Sequence, residues 1–525
     1  MTPWIWQSAT AMAHGVATGQ VSALALTELH IERIQATHAA LNAVVWPRFE
    51  AARAEAAAAD AARSRGQALG PLHGVPITVK DHFALAGLPS SCGMARLRGH
   101  VDAADGVLVA ALRRAGAVVL GKTNVPQTMA VIETDNAIFG RTNNPWDLAR
   151  TPGGSSGGEA AAVAAGCSAL GLGSDFGGSV RVPAAWCGLY GLRPTARRLP
   201  MDPLPVATAG GAEGIVAQPG PLARHAADLA LAMQVLVAGA GRVSSTLLPP
   251  VPWRDPANLR LDGLRVALLP QVGDWPVAPA VRRGLDLAAD ALRRQGVQVQ
   301  PWPEAPPTQA SVDLFFQIVG ADDFGFLRDI LGDEAPVPLL RPQQRLTAMP
   351  GWLVPVASAL LGATGQRRVQ RLLRLAAPAK SADALMRLLH RRLLAEQQFI
   401  GAMAAGRFDA VLCPALPIAA PLHGSVNDMA DFWGSALLFN VLGLPAGVAP
   451  ITRVQPGEER DRPPSRDRAE QALARAEQGS AGLPVAVQVA AAPWREDIVL
   501  ALLMALERDS AARPDYPGRP PLLLA

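Results

Sequence analysis

The 525-residue sequence predicts a single large α/β domain (residues 1–525) built on a mixed β-sheet. Three observations carry that expectation. Half of the residues are hydrophobic and 18% are charged, with a mean hydropathy of +0.17, which is enough apolar material for a sizeable core and too much for a disordered chain. Helix-like and strand-like segments recur from the first hundred residues to the last fifty, the rhythm of an α/β sheet. No internal repeat divides the chain, so the three or four units that about 150 residues per domain would suggest are read as one.

In chain order, SALALTELHIERIQATH (22–38) reads as a helix capped by Ser22, with apolar residues at helical spacing. An Ala-rich helix is expected at 50–65, and GVPITVK (74–80) reads as a short apolar strand ending on Lys80. GVLVAALRRAGAVVLG (106–121) is a helix running into a strand. The same rhythm returns at 264–300, where LRVALLP precedes an amphipathic helix and then GVQVQPW. DAVLCPA (409–415) and LPVAVQVAA (483–491) read as strands, the second followed by a helix near 495–508. Two stretches depart from the rhythm. Residues 336–400 are helical, basic and apolar together, and 454–480 reads as a charged, Pro-containing surface excursion.

Composition excludes several classes. The net charge is +4 and the pI about 9.1, but 48 basic residues face 44 acidic ones, so nothing calls for nucleic acid. Four cysteines (Cys92, Cys167, Cys187, Cys413) lack CxxC spacing, which argues against a disulfide framework and a zinc site and fits a reducing, cytoplasmic setting. The first Lys or Arg is Arg33, so no charged leader is expected, and no uninterrupted apolar run reaches 18 residues. Of the 48 basic residues only Lys80, Lys122 and Lys380 are lysines. Arg cannot lose its proton at working pH, so these three are candidates for a task that requires it, although an Arg-favouring codon bias would produce the same count.

The chemistry concentrates in TPGGSSGGEAAAVAAGCSALGLGSDFGGSVRVPAAWCGLYGLRP, which starts at Thr151 and holds Gly/Ser clusters around Ser155–Ser156 and Ser179. Glycines beside serines let the backbone approach a substrate and turn N–H groups inward. FGGS (176–179), opening towards a helix, would present several free amides to a developing oxyanion, with Ser179 placed to attack a carbonyl. None of the nine histidines stands in a recognisable triad motif, and His82, His225, His390 and His423 read as surface or satisfied core residues. Lys80 is the better base, because burial at the end of an apolar strand would pull its pKa from about 10.4 towards neutrality. A neutral Lys can then take a serine proton, directly or through a second hydroxyl. Residues 153–157 formally match the G-x-S-x-G elbow of α/β hydrolases, but TNNPWDLARTPGG before them is loop-like and no Asp or His follows in a recognisable setting. No phosphate-binding G-x-x-x-x-G-K-[ST] occurs.

These residues resemble the amidase signature family, whose pattern combines a strand-borne Lys, a G-G-S-S-G-G run and a G-x-D/G-x-G-G-S-x-R loop. Here the three stand as GVPITVKDHF, GGSSGGE and GSDFGGSVR, with Ser155 and Ser179 separated by 24 positions. The resemblance implies a twisted mixed sheet covered by helices on both faces, a 70–200 core carrying a Ser-Ser-Lys triad, and an amide hydrolase working through an acyl-enzyme without a cofactor or metal. It implies Ser179 as nucleophile, Ser155 as bridging serine preceded by a cis peptide, and Lys80 as base. Phe176, Gly177, Gly178 and the Ser179 amide would form the oxyanion hole, Ser156 would support, and Asp175 and Arg181 would prop the loop. LPSSCGMARLRG (88–99), LLFNVLGLPAGVAPITRV (437–454) and SAGLPVAVQVAAAPWREDIVLALLMALE (480–507) are similar to the fatty acid amide hydrolase branch in particular. The resemblance is traceable from about 70 to 508 and weakest over 200–260 and 305–400.

That branch implies apolar or fatty acyl amides as substrates, acyl-channel roles for Met129 and Ile132, and a helical cap within 336–400. The segment 348–378 combines Trp352 with Arg367, Arg368, Arg371 and Arg374, which would suit a basic amphipathic helix in a membrane interface. The other reading of it is a core helix pair with one solvated Arg face. No counterpart of the N-terminal transmembrane segment of mammalian members is seen, so anchoring by that route is not expected. A homodimer is a family expectation. Short-acyl, aryl, carbamate or peptide amides stay open as substrates, as does a glutamine-dependent amidotransferase subunit that releases ammonia for a partner. A catalytically silent binding protein is disfavoured because all three triad positions are filled.

Overall fold

The computed structural model describes residues 4–201, 214–241, 248–341, 349, 351–379 and 381–521. Lys380, together with 342–348 and 350 of the expected cap, lies outside the described residues.

The local rules hold well at the start of the chain. Ser22 Oγ accepts the Ala25 N–H at 3.0 Å and opens the helix Ala23–Leu41, which ends on Asn42 in the left-handed conformation. Its apolar stripe, Leu26, Ile31, Ile34 and Leu41, is buried. The Ala-rich helix runs Phe49–Ser64, and the helix Val107–Arg114 leads into a strand as expected.

The strands are β1 (Val44–Pro47), β2 (Pro76–Lys80), β3 (Val118–Thr123), β4 (Leu170–Asp175), β5 (Tyr190–Arg193), β6 (Gln218–Ala223), β7 (Arg265–Leu268), β8 (Gln298–Pro301), β9 (Ala410–Pro414), β10 (Ala446–Arg453) and β11 (Pro484–Ala491). They form one mixed sheet in the order β1-β3-β2-β4-β6-β5-β10-β11-β9-β7-β8. β2 runs parallel to β3 and β4, and β7 parallel to β8 and β9, while the other pairs are antiparallel. Every residue of β2, β3, β4, β9 and β11 is buried. Successive residues of a strand face opposite sides, so burial at every position means cover on both faces.

Five of these strands, β1, β4, β5, β6 and β10, are not among the expected elements, and for β4, β5 and β6 the reason is physical. LGLGSD, YGLR and QPGPLA are rich in residues that disfavour strands. Their glycines serve close approach instead: a Cβ on Gly220 would sit 2.0 Å from Leu192 O, and one on Gly171 would sit 2.4 Å from Glu159 Oε1.

Two expectations change. The 454–480 stretch is not wholly a surface excursion, because it contains the helix Arg468–Glu477, whose Ala469, Ala472, Leu473 and Ala476 enter a core cluster. Their i, i+3, i+4, i+7 spacing is masked in sequence by the charged residues between them. Within 336–400, the helices Leu353–Ala363, Arg367–Leu375 and Ala382–Ala405 form as expected, but the arginines of 348–378 do not make up a single basic face. Arg368 bonds Asp274 and Glu470 and lies over the Trp275 ring at 4.2 Å. Arg371 pairs with Asp274 and Asp313, and Arg374 Nε donates to Ser358 Oγ at 2.7 Å. Arg368 and Arg371 are therefore half-buried in ion pairs, while Arg367 and Arg374 are exposed. It is the apolar row Trp352, Val356 and Leu360 that faces out, at 74%, 52% and 64% exposure. No helix among the described residues is long and apolar enough to cross a membrane.

Candidate active site

Three neighbouring elements converge at the C-terminal ends of β2 and β4. Lys80 closes β2 and is fully buried. Its Nζ donates to Ser155 Oγ at 2.7 Å and to Ser174 Oγ at 3.0 Å. Burial pulls the Lys80 amine down from its usual value to about 7, against the opposing pull of Asp175, Cys92, Glu159 and Asp81.

Ser155 sits in the tight run between Thr151 and the helix Gly157–Ala164. The Gly154–Ser155 peptide is cis, as the resemblance implied. Thr134 Oγ1 donates to Gly153 O at 2.8 Å, and a Cβ on Gly154 would lie 2.8–2.9 Å from the backbone of Val131, Ile132 and Glu133. A Cβ on Gly158 would lie 2.4 Å from Asn124 N. Gly154 and Gly158 thus let the serine-bearing backbone lie directly on its neighbours, which larger residues would prevent.

Ser179 follows β4 on the loop 176–180. Its carbonyl accepts the Ser156 N–H at 3.2 Å, which ties the two serine clusters together. The hydroxyls of Ser155 and Ser179 are not hydrogen-bonded to each other, a separation often seen before substrate draws such groups together. Ser156 Oγ bonds the Ser174 backbone at 3.4 Å from both its N–H and its C=O.

Asp175 organises the loop. Its carboxylate accepts the Gly178, Val180 and Arg181 N–H groups, the Arg181 guanidinium and Asn440 Nδ2. Burial pushes its pKa up, but the Arg181 charge and hydrogen bond outweigh that and hold it well below the usual carboxylate range. Arg181 reaches on to Gln488 Oε1 at 2.6 Å and Asn440 Oδ1 at 2.5 Å. One consequence corrects the expected amide nest: the Gly178 N–H is already donated to Asp175 Oδ1 at 2.8 Å. The amides of Phe176, Gly177 and Ser179 meet no acceptor among the described residues.

Apolar side chains stand against this loop. The Phe176 and Phe315 rings lie 5.6 Å apart, and a Cβ on Gly177 would lie 3.0 Å from Phe315 and 3.3 Å from Leu437. Phe315 and Leu437 belong to a cluster with Ile215, Val312, Ile318, Leu388 and Val441. Met129, at φ 59°, packs with Cys92, Met94, Leu331 and Leu340, whereas Ile132 joins a different cluster with Trp146 and Trp186. The two sit on one segment that touches Gly154, but they do not share a single apolar wall.

Three contributors went unread in the sequence. Ser174 and Glu159 stand inside quoted motifs, where a polar residue beside a nucleophile loop and a lone acid in an Ala-rich helix were available signals. Asn440 comes from more than 250 positions downstream, and no local signal marks it. Lys122, the second candidate lysine, is buried elsewhere, with Nζ on Pro89 O, Ser90 Oγ and Asp102. Of the histidines, His225 pairs with Glu507 and His423 with Glu133, while His390 is exposed. His82 is buried, and neither ring nitrogen has a partner among the described residues, so it is a core residue but not a satisfied one. The four cysteines are free and buried, and no group of three or more His, Cys, Asp or Glu among the described residues is arranged to hold a metal ion.

The sequence matches the family described as Amidase over residues 25–500. It is 32% identical to fatty-acid amide hydrolase 1 of Sus scrofa over 467 residues, covering 86% of this chain and 77% of that protein. It is 39% identical to indoleacetamide hydrolase of Bradyrhizobium diazoefficiens over 301 residues, 56% of each chain. Among solved structures, a fatty acid amide hydrolase superposes with a TM-score of 0.83 at 26% identity, over 96% of this chain and 85% of that one.

Proposed function

The chain belongs to the amidase signature family of amide hydrolases, and from that premise we propose that Ser179 is its nucleophile, Ser155 the proton bridge and Lys80 the base. The observation that carries this reading is the 2.7 Å bond from a fully buried Lys80 amine to Ser155 Oγ. An amine that titrates at about 7 is neutral in a useful fraction at neutral pH.

Neutral Lys80 takes the Ser155 proton while Ser155 takes that of Ser179, and Ser179 Oγ bonds to the amide carbonyl carbon. The oxyanion is received by the Phe176, Gly177 and Ser179 amides; Asp175 holds Gly178 and so shapes the loop from behind. Loss of one such donor costs about 3–4 kcal/mol. The C–N bond then breaks as the Lys80 ammonium returns its proton through Ser155 to the departing amine. Water hydrolyses the acyl-enzyme to complete the cycle.

For substrate we infer apolar or fatty acyl amides, because Phe176, Phe315 and Leu437 crowd the loop that would hold the carbonyl. The outward row Trp352, Val356 and Leu360 favours peripheral membrane contact through 348–378. A homodimer and a cytoplasmic location accord with this reading. The test is hydrolysis of acyl p-nitroanilides of graded chain length, with S179A as the blank. Rates that climb with acyl length are expected. A peak at short acyl groups would replace the fatty-amide reading with a short-acyl or aryl amidase. Glutaminase activity without simple-amide activity would replace it with an amidotransferase subunit.

A further inference from the structure

Glu159 is a buried acid that the proposed mechanism does not use. It stands in the first turn of the helix Gly157–Ala164, four residues after Ser155. Thr78 Oγ1 on β2 donates to its Oε1, and Thr123 Oγ1 on β3 bonds its Oε2 at 2.7 Å. Thr78 and Lys80 lie two apart on β2 and so share a face, and Thr123 is the β3 partner of Lys80. Gly171 on β4 leaves the space that the carboxyl fills. Acid and base therefore occupy one buried patch of the sheet, and no cation lies within 4.0 Å of the carboxyl among the described residues. An unpaired carboxylate buried in this way is costly, whereas a carboxylic acid is not. The neutral form also has a complete bonding path. Oε2–H donates to Thr123 Oγ1, whose own proton turns to Val79 O at 3.5 Å, and Oε1 still accepts from Thr78.

We propose that Glu159 is a positioning residue for the base: its carboxyl and the Lys80 amine form one buried acid–base pair, both neutral in the resting enzyme, and ionisation of Glu159 makes Lys80 a stronger base. This rests on Lys80 acting as the base. The surroundings are consistent with it. Lys80 also faces Asp81 and His82 in the turn that follows its strand, Cys92 on the loop beyond, and Asp175, which is itself paired with Arg181. Lys122 of β3 is turned to Asp102, and Arg33 and Arg224 bond carbonyls at the far end of the Glu159 helix. Only Lys80 among these charges acts on Glu159, whose carboxyl is pushed by burial up to about 8, against the two threonine hydroxyls. When Lys80 gains the Ser155 proton, a carboxylate beside it stabilises the ammonium, so basicity and rate rise once Glu159 has ionised.

The test is kcat/KM against pH, from mildly acidic to about pH 10, for wild type and E159Q on one p-nitroanilide. The wild-type profile is expected to rise through two ionisations and that of E159Q through one. The ratio of the two rates should grow about tenfold between pH 7 and pH 10, the effect of one pKa unit in the base. A single ionisation in both, at a constant ratio, would overturn the proposal. So would a midpoint in E159Q well below that of wild type, since it would mean a carboxylate already ionised at rest. A wild type inert at every pH would count against the amidase reading instead. Should E159Q fail to fold, wild-type protein carrying 13C-labelled glutamate decides: a carboxyl carbon titrating above neutrality is expected, and its absence overturns the pair.

Discussion

At the residue scale, the chemistry hangs on the environment of one amine. Lys80 is an ordinary lysine made useful by complete burial and by Ser155 and Ser174 hydroxyls that accept from it without adding a counter-charge. The sign of the pH effect follows. The working form is the neutral one, so activity is low below the depressed value of about 7 and rises as pH passes through it. K80R keeps the length of the side chain but stays protonated, so it should be as inactive as K80A in the same assay. Near-normal amidase rates in K80R would sink the Lys-base mechanism. S179A should abolish turnover while leaving the thermal unfolding midpoint close to wild type, because this buried loop position loses only one hydroxyl, which has no hydrogen-bond partner among the described residues.

At the element scale, the informative case is the helix Leu353–Ala363 and its neighbour Arg367–Leu375. A sequence this rich in arginine suggests an electrostatic membrane face, yet Arg368, Arg371 and Arg374 are bound to Asp274, Glu470, Asp313 and Ser358. What is offered to the outside is Trp352, Val356 and Leu360, one row at i, i+4 and i+8. Any membrane attraction through this face should therefore be apolar in origin and nearly independent of anionic lipid. Cosedimentation with phosphatidylcholine vesicles, with and without phosphatidylglycerol, measures this directly. A W352D/V356D/L360D variant should lose at least about tenfold in partition, since burying even one large apolar side chain is worth roughly 1.5–3 kcal/mol. Equal partition of variant and wild type would remove the membrane role from this row.

At the scale of the whole molecule, the nucleophile loop is held by groups far apart in the chain. Asp175 ends β4, Arg181 opens the next helix, Asn440 belongs to the helix Gly434–Val441 and Gln488 to β11. All four are buried and bonded around one ion pair at 3.0 Å. R181M should leave the Asp175 carboxylate without its charge partner and cost about 3–5 kcal/mol in urea unfolding. A loss below about 1 kcal/mol would mean that the other donors to Asp175 suffice.

Much is legible in the sequence, because it is local. Apolar spacing indicates a helix at 22–38, another within 264–300, and the strands β2, β3, β9 and β11, while the Gly/Ser pattern singles out Ser155 and Ser179 and the apolar strand end singles out Lys80. Those signals depend on neighbours along the chain, where side-chain period and backbone freedom act directly. The Gly-rich strands β4, β5 and β6 were illegible because their residues answer to close contacts across the sheet, such as Gly171 with Glu159 and Gly220 with Leu192. The helix Arg468–Glu477 was hidden by its charged face. Sequence alone thus determined the family, the α/β class and the three residues proposed for the chemistry. Tertiary structure decided which amides of the 176–179 loop stay free, which way the arginines of 367–374 turn, and that Glu159 shares a buried face with Lys80. Each depends on which distant groups meet in a low-dielectric interior, and no spacing along the chain encodes that.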